Sequence, residues 1–162
     1  MGYDRQKAVQ YARRWAFGRN ARYLDFSGLG GDCANFVSQC LYAGGGEMNP
    51  TPVDGWYYRS AGDRSASWTS ARRLYAFLTS NRGVGPYGQE VEDDLADIGD
   101  VVFMGYRNGI LTHSALVVAV EGGRLYLAAH TDDAWMRPMD TYSQPVKRLV
   151  KILGVRPFVS EL

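Results

Sequence analysis

Cys33 has the residue type and the sequence context of a nucleophile. It follows Gly30-Gly31-Asp32 and begins an apolar run with helical spacing, so Asp32 is predicted to be the N-cap residue and Cys33 to lie in the first turn. Amide groups without partners and the positive end of the helix dipole meet at that position and favour a thiolate. We therefore expect the pKa of the Cys33 thiol to lie below the ~8.5 of a free cysteine.

The second cysteine, Cys40, is predicted to be a core residue. It lies seven residues after Cys33, and at a rise of ~1.5 Å per residue the two Cα atoms are ~10 Å apart, beyond the ~7 Å limit for a disulfide. Cys40 is in the middle of the apolar stripe, whereas Cys33 is at its polar, glycine-flanked end. Packing in the core is the alternative role for Cys33 as well, because free cysteines are often buried.

The chain has two histidines, and both fall on one predicted hairpin. With a two-residue turn at Gly122-Gly123, His130 faces Ala115. Since alternate residues share one face of a strand, His113 and His130 become diagonal neighbours with Cα atoms ~7–8 Å apart. One extra residue in either strand would move His130 to the opposite face.

Together these residues predict a Cys-His catalytic site. Such a site needs a base that accepts the thiol proton and later delivers it to the leaving amine, and a third group that orients the imidazole. We assign His113 as the base and His130 as the orienting residue, with Asp132 as its substitute. A single histidine on a strand is more often a core residue, and that is the alternative for each histidine.

The oxyanion of a tetrahedral intermediate requires hydrogen-bond donors close to the nucleophile. The backbone N–H of Cys33 is one candidate donor, and the Tyr23 hydroxyl is a candidate side-chain donor. Asp32 and Trp68 complete the residues that we predict for oxyanion or substrate binding.

Metal binding is the other chemistry open to this residue set. Cys33, His113, His130 and an aspartate could provide ligands, but the sequence contains neither an HExxH motif nor paired CxxC spacing. No metal and no cofactor is therefore predicted.

Composition indicates one globular domain over residues 1–162, with 46% hydrophobic and 22% charged residues. A formal net charge of +1 gives no electrostatic basis for binding nucleic acid or an anionic membrane. No apolar run approaches the ~18 residues of a membrane span, so no membrane insertion is predicted. The polar start, Met1 to Lys7, has no signal peptide, which leaves either an intracellular protein or an excised mature domain. The sequence gives no indication of the oligomeric state.

Helices come first along the chain and strands second, which predicts an α+β domain with an antiparallel sheet. Residues 47–66 combine turn dipeptides with aromatic side chains, and they favour either the wall of a binding groove or a surface loop held by its own aromatics. The predicted helices run from Asp4 to about Phe17, from Cys33 to Gly44-Gly45-Gly46, and from Thr69 or Ser70 to Ser80; the predicted strands cover 101–104, 112–120, 125–130 and 149–155.

Gly-Gly-Asp-Cys-Ala-Asn-Phe-Val-Ser-Gln-Cys, at positions 30–40, resembles the nucleophile helix of papain-like bacterial cell-wall hydrolases, the NlpC-like superfamily. It is more similar to the putative amidase domain family of Gram-positive bacteria, and the likeness runs from about Gln6 to Phe158. The other segments that carry the resemblance are Tyr23-Leu24-Asp25-Phe26, Ser67-Trp68-Thr69, Gly99-Asp100-Val101-Val102, the strand from Thr112 to Val118, and Ala129-His130-Thr131-Asp132.

The resemblance implies a papain-like (NlpC/CHAP-like) fold, in which the nucleophile helix packs on an antiparallel sheet. It also implies a cysteine-dependent hydrolase of amide bonds in peptides or peptidoglycan peptides, acting through an acyl-enzyme. A secreted or cell-surface location in a bacterium follows from the same likeness, while the sequence itself leaves a cytoplasmic location open. One departure from papain is that no glutamine lies between Gln10 and Gln39, so the oxyanion donor must differ or be backbone alone.

Two other functions use the same residues. An acyltransferase would pass the acyl group from Cys33 to an amine instead of water. A non-catalytic module would bind cell-wall or peptide ligands on the same scaffold, although such a module has no need for a complete Cys-His-His set.

Overall fold

The structure, a computed structural model, describes residues 2–159. Four α-helices precede or interrupt the strands of two sheets. The helices are α1 (Arg5–Trp15), α2 (Cys33–Gly45), α3 (Ala66–Thr69) and α4 (Ala71–Ser80); the strands are β1 (Tyr58–Ser60), β2 (Asp63–Arg64), β3 (Gly85–Val91), β4 (Val101–Gly105), β5 (Leu111–Glu121), β6 (Arg124–Ala129), β7 (Ala134–Pro138) and β8 (Val146–Arg156).

Six of these strands form one sheet in the order β3-β8-β4-β5-β6-β7, and each neighbouring pair is antiparallel. The architecture is therefore α+β with an antiparallel sheet. Strands β1 and β2 form a separate two-stranded sheet. Within residues 2–159, no helix is long and apolar enough to cross a lipid bilayer.

Local capping signals set the starts of α1 and α4. The Asp4 side chain accepts a hydrogen bond from the Lys7 amide at 3.0 Å, and the Ser70 side chain accepts one from the Arg73 amide at 3.3 Å. Each bond satisfies an amide that the first turn leaves without a partner. At the end of α2, Gly46 takes the left-handed conformation (φ 73°), which glycine adopts without steric cost.

The six-stranded sheet separates two hydrophobic clusters. The face that packs against the helices, here called the helix face, carries Phe103, Leu116 and Ala128. The opposite side, here called the outer face, carries Met104, Ala115, Val117, Leu127 and Tyr142 among others. Along β5 the two faces alternate, so Ser114 and Leu116 point one way and His113 and Ala115 the other.

Two of the aromatic residues of the 47–66 segment, Trp56 and Tyr58, belong to the core. Trp56 is fully buried and donates its indole N–H to the Ser38 hydroxyl at 3.1 Å, and its ring lies 4.6 Å from that of Trp68. Tyr58 is also buried. The prediction of a groove wall is wrong for Trp56 and Tyr58, because these rings anchor the segment to the core instead of facing solvent.

A β-bulge at Val118 changes the register of the hairpin that carries the histidines. Glu121 faces Arg124, as the predicted turn requires, but Val117 faces Leu127 and the next pair is Ala119 with Tyr126, so Val118 has no facing residue. An extra residue of this kind reverses the faces of everything beyond it. The prediction that His113 and His130 share a face is therefore wrong.

Candidate active site

Cys33 is the first residue of α2, as predicted, and it packs against β5. Gly30 and Gly31 bring the chain to it with φ angles of 106° and 115°, which other residues rarely adopt. Burial has the largest effect on the Cys33 thiol and raises its pKa above the ordinary value, while the backbone amide of Ser114 beside the sulfur acts in the opposite direction. The expectation of a low thiol pKa is wrong for this conformation, because desolvation outweighs the helix terminus.

Asp32 occupies the N-cap position, but its side chain makes no capping hydrogen bond. The carboxylate is fully buried and accepts hydrogen bonds from the Phe26 amide at 2.8 Å and the Asn35 amide side chain at 2.9 Å. Its second oxygen lies 2.5 Å from Nδ1 of His130. Asp32 therefore joins the loop before α2, the first turn of α2 and the end of β6. Full burial also corrects the prediction that it binds substrate.

His130 is bonded at both ring nitrogens. Nδ1 faces the Asp32 carboxylate, and Nε2 lies 2.7 Å from the backbone carbonyl of Trp15 and 3.2 Å from the Arg19 guanidinium. The ring stacks on Phe36, with centroids 4.1 Å apart, on the helix face. These contacts tie α1 and α2 to the sheet. The prediction that His130 orients His113 is not supported, because both ring nitrogens of His130 bond to other groups and its ring lies on the opposite face of the sheet.

His113 is also buried, but its environment is different. Its ring lies 5.7 Å from that of Tyr142 on the outer face, and Nε2 has no hydrogen-bond partner among residues 2–159. Burial, followed by the nearby charge of Arg137, lowers the pKa of His113 from 6.5 to about 4, while Asp132 acts in the opposite direction. At neutral pH the imidazole is uncharged and has the protonation state of a base.

A cavity of about 130 Å³ opens beside His113. Among the described residues, only four that are not glycine have a positive φ, and two of them, Thr131 (61°) and Asp132 (56°), line this cavity. Strained backbone of this kind persists where the surrounding structure enforces it, and it concentrates at functional sites. The cavity is lined by His113, Thr131, Asp132, Arg137, Tyr142, Ser143 and Gln144.

Cys33 packs on the helix face of β5, whereas the side chain of His113 points to the outer face, and no hydrogen bond joins the two side chains in the part of the chain that the structure describes. Cys33 lies against Ser114, the residue that follows His113. Thr131 links the two regions, because its hydroxyl accepts a hydrogen bond from the Asp32 amide at 3.1 Å and its side chain borders the cavity of His113. Catalytic hydrogen bonds are often long before substrate binds and shorten in the complex.

The two aromatic residues predicted for oxyanion or substrate binding are both buried. Trp68 has no exposed surface and donates its indole N–H to Asn35 at 3.0 Å, so the prediction that it contacts substrate is wrong. Tyr23 packs between Trp68 and Tyr58, with ring centroids 6.0 Å and 5.0 Å away. No hydrogen bond connects the Tyr23 hydroxyl to Cys33 in residues 2–159, so its role stays a prediction.

Three residues at the site carry no recognisable sequence signal. Ser114, Arg137 and Tyr142 lie beside Cys33 or His113 only because of strand pairing and the turn after β7. Asp132 was a candidate from sequence, and the structure places it near His113.

Cys40 is fully buried and both cysteines are free, as predicted. No cluster of three or more His, Cys, Asp or Glu side chains suited to a metal ion occurs within residues 2–159.

Comparison with known proteins identifies the class. The model of the family described as "Putative amidase domain" matches residues 2–153, so the chain belongs to that family. It is 36% identical over 140 residues to the uncharacterized protein YhbB of Bacillus subtilis and 26% identical over 140 residues to the uncharacterized protein YjcM of the same organism. These matches cover 83% and 80% of this chain but only 43% and 31% of the two relatives. No solved structure gives a significant match.

Proposed function

We propose that the protein is a cysteine-dependent amide hydrolase with Cys33 as nucleophile and His113 as base. One observation carries the proposal: the buried Nε2 of His113 has no hydrogen-bond partner in residues 2–159, and Thr131, which lines the cavity beside His113, accepts a hydrogen bond from the amide of Asp32, the residue before Cys33. A buried polar atom without a partner costs about 1–3 kcal/mol, so its retention is expected where function uses it. Membership of the amidase family supports amide hydrolysis at this coarse level.

The chemistry proceeds through an acyl-enzyme. The Cys33 sulfur attacks the carbonyl carbon of the amide while His113 Nε2 accepts the thiol proton, and the backbone N–H of Cys33 donates to the oxyanion. When the tetrahedral intermediate collapses, the C–N bond breaks and the amine takes the proton from His113. Water then attacks the thioester, giving its proton to His113, and the carboxylic acid and the thiol are released.

The two pKa shifts decide how the thiol is activated. The pKa of the Cys33 thiol is raised and that of His113 is lowered to about 4, so both groups are neutral at neutral pH. A thiolate–imidazolium pair formed in advance requires the opposite shifts. We therefore propose that His113 removes the proton as the sulfur attacks, with Asp132 orienting the imidazole in place of His130.

The proposal also covers the type of hydrolase, its substrates and its location. A nucleophile at the start of a helix that packs on an antiparallel sheet, with the base on a strand, is the arrangement expected for a papain-like hydrolase. We propose peptides or peptidoglycan peptides as substrates and the bacterial cell surface as the location. The support for both is the resemblance of the Cys33 segment to cell-wall hydrolases.

A non-catalytic binding module is the second candidate. It is favoured by the missing hydrogen bond between Cys33 and His113 and by the raised thiol pKa. Such a module would bind the same peptides without breaking them. Acyl transfer to an amine is a variant of the first candidate, because it differs only in the group that attacks the thioester.

A comparison of the two cysteines tests the proposal. Short peptides and peptidoglycan fragments are incubated with the wild type, Cys33→Ala and Cys40→Ala, and mass spectrometry follows both the products and the acylated Cys33 peptide. Turnover is expected in the wild type and Cys40→Ala and to fall by about 10³-fold or more in Cys33→Ala. Binding without turnover in all three proteins would support the module instead, and products that contain an added amine would identify a transferase.

A further inference from the structure

The cavity beside His113 has a second polar feature that the proposed hydrolysis does not use. Tyr142 is buried, and its hydroxyl has no hydrogen-bond partner in residues 2–159. Two buried polar atoms without partners, His113 Nε2 and Tyr142 Oη, therefore belong to side chains that line the same space. Leaving the Tyr142 hydroxyl unsatisfied is costly, so the cavity is suited to a ligand group that accepts its hydrogen bond.

Arg137 gives this cavity a fixed positive charge. Its Nε donates to the Thr141 hydroxyl at 2.9 Å and its Nη2 to the Thr141 carbonyl at 3.0 Å, while the guanidinium lies 3.8 Å from the centre of the Tyr142 ring. These contacts hold the guanidinium plane in place. Arg137 forms no ion pair with any carboxylate in the described part of the chain, and its Nη1 makes no hydrogen bond there.

The other charged groups around the cavity leave this positive charge unpaired. Asp132 lines the same cavity, but it is exposed and forms no ion pair with Arg137 among residues 2–159. Arg19 and Arg124, by contrast, each have a carboxylate partner, Asp133 at 3.1 Å and Asp140 at 2.8 Å. A rigid arginine with free donors is suited to a planar anion, because its fork matches the two oxygens of a carboxylate.

We infer that the cavity formed by His113, Arg137 and Tyr142 binds a carboxylate of the substrate. This inference rests on the proposed function, and it narrows the substrate to peptides that carry a carboxylate close to the amide that is cleaved. Nη1 of Arg137 and the Tyr142 hydroxyl donate to the carboxylate oxygens, while Nε2 of His113 stays free to accept the thiol proton. The carboxylate has two sources in a peptide, the C-terminus or an acidic side chain.

Binding to protein that lacks the nucleophile tests this inference apart from catalysis. Isothermal titration of Cys33→Ala uses three probes: N-acetyl-trialanine, its C-terminal amide, and an otherwise identical peptide amide that ends in glutamate. At least one of the two carboxylate peptides is expected to bind about tenfold more tightly than the neutral amide. The peptide that gains affinity identifies the source of the carboxylate.

Substitution of Arg137 then shows whether this residue recognises the charge. Arg137→Gln in the Cys33→Ala background is expected to abolish the preference for carboxylate, and Arg137→Lys to retain part of it, because lysine keeps the charge and loses the fork. Arg124→Gln, a matched change at an exposed arginine on the same sheet, is expected to keep the full preference.

Equal affinity for the three peptides, no measurable binding of any of them, or a preference that survives Arg137→Gln would each overturn the inference. Failure of the proposed function has a different signature. In that case the wild type shows no turnover that depends on Cys33, while the carboxylate preference of the Cys33→Ala protein is unaffected.

Discussion

His113 and His130 are both buried, yet their surroundings differ in almost every other respect. His130 has a carboxylate at one ring nitrogen and a backbone carbonyl at the other, and it stacks on Phe36. His113 has an unpartnered Nε2, a lowered pKa and a cavity at its side. Burial alone does not separate a structural histidine from a chemical one. The bonding of the ring nitrogens differs, and on that basis we propose that His130 is a structural residue and His113 a catalytic one.

The largest effect that tests this contrast is on stability. His130→Ala leaves the Asp32 carboxylate buried without its closest partner, and removing one member of such a pair typically costs about 3–5 kcal/mol in the free energy of unfolding. His113→Leu removes an unpartnered polar atom, so the free energy of unfolding at neutral pH is expected to stay within about 1 kcal/mol or to rise. Urea unfolding of both variants measures the difference.

The two variants are expected to rank in the opposite order when activity is measured instead of stability. His113→Leu is expected to be folded and inactive, whereas His130→Ala keeps the residues that we place in the chemistry. Equal losses of stability in the two variants would contradict the assignment. So would a folded, fully active His113→Leu.

A smaller effect concerns the pH dependence of stability. The pKa of His113 is about 4 in the folded protein and near its ordinary 6.5 when unfolded, so between these values the unfolded chain binds more protons. The contribution of neutral His113 to the free energy of unfolding is therefore complete above pH 6.5, the pKa in the unfolded chain. It is lost as the pH falls from 6.5 towards 4, a total of roughly 3 kcal/mol. The wild type should therefore lose about this much more than His113→Gln between neutral pH and pH 4, measured by urea unfolding. Identical pH profiles would show that His113 is solvated.

The smallest expected effect is on thiol reactivity. Burial raises the pKa of Cys33, so its alkylation by iodoacetamide should be slow at neutral pH and accelerate only above the ordinary thiol range. Because no hydrogen bond joins Cys33 to His113, the same profile is expected in His113→Gln. Peptide mapping distinguishes Cys33 from the fully buried Cys40. A midpoint well below the free thiol value that disappears in His113→Gln would establish a preformed ion pair.

Local signals in the sequence were sufficient to predict three of the four helices, α1, α2 and α4, whereas the short α3 was not predicted. Asp4 and Ser70 accept the capping hydrogen bonds expected of them, and the glycines at 44–46 end α2. Each of these outcomes depends on atoms within one helical turn, which is why residue type and spacing predict them. The hairpin turn, with Glu121 facing Arg124, is local in the same sense.

The pKa values and bonding partners of the candidate site residues depend on contacts between residues that are far apart in the sequence. The raised pKa of Cys33 results from burial against β5, and the partners of Asp32 come from three separate segments. Arg137 and Tyr142 reach His113 through a turn that no motif marks. Sequence reasoning thus named Cys33, His113 and Asp132 but could not assign their protonation or neighbours, since those properties follow from tertiary packing.

The bulge at Val118 limits which insertions and deletions the β5–β6 hairpin can accept without moving side chains from one face to the other. A strand exposes odd and even positions on opposite sides, so one inserted residue exchanges the two sets beyond it. Removing Val118 would close the bulge and leave Leu116 paired with Ala128, so the exchange of sides would fall on the residues nearer the turn and not on His130. Insertions or deletions that keep the present faces on both sides of Val118 are therefore limited to whole pairs of residues.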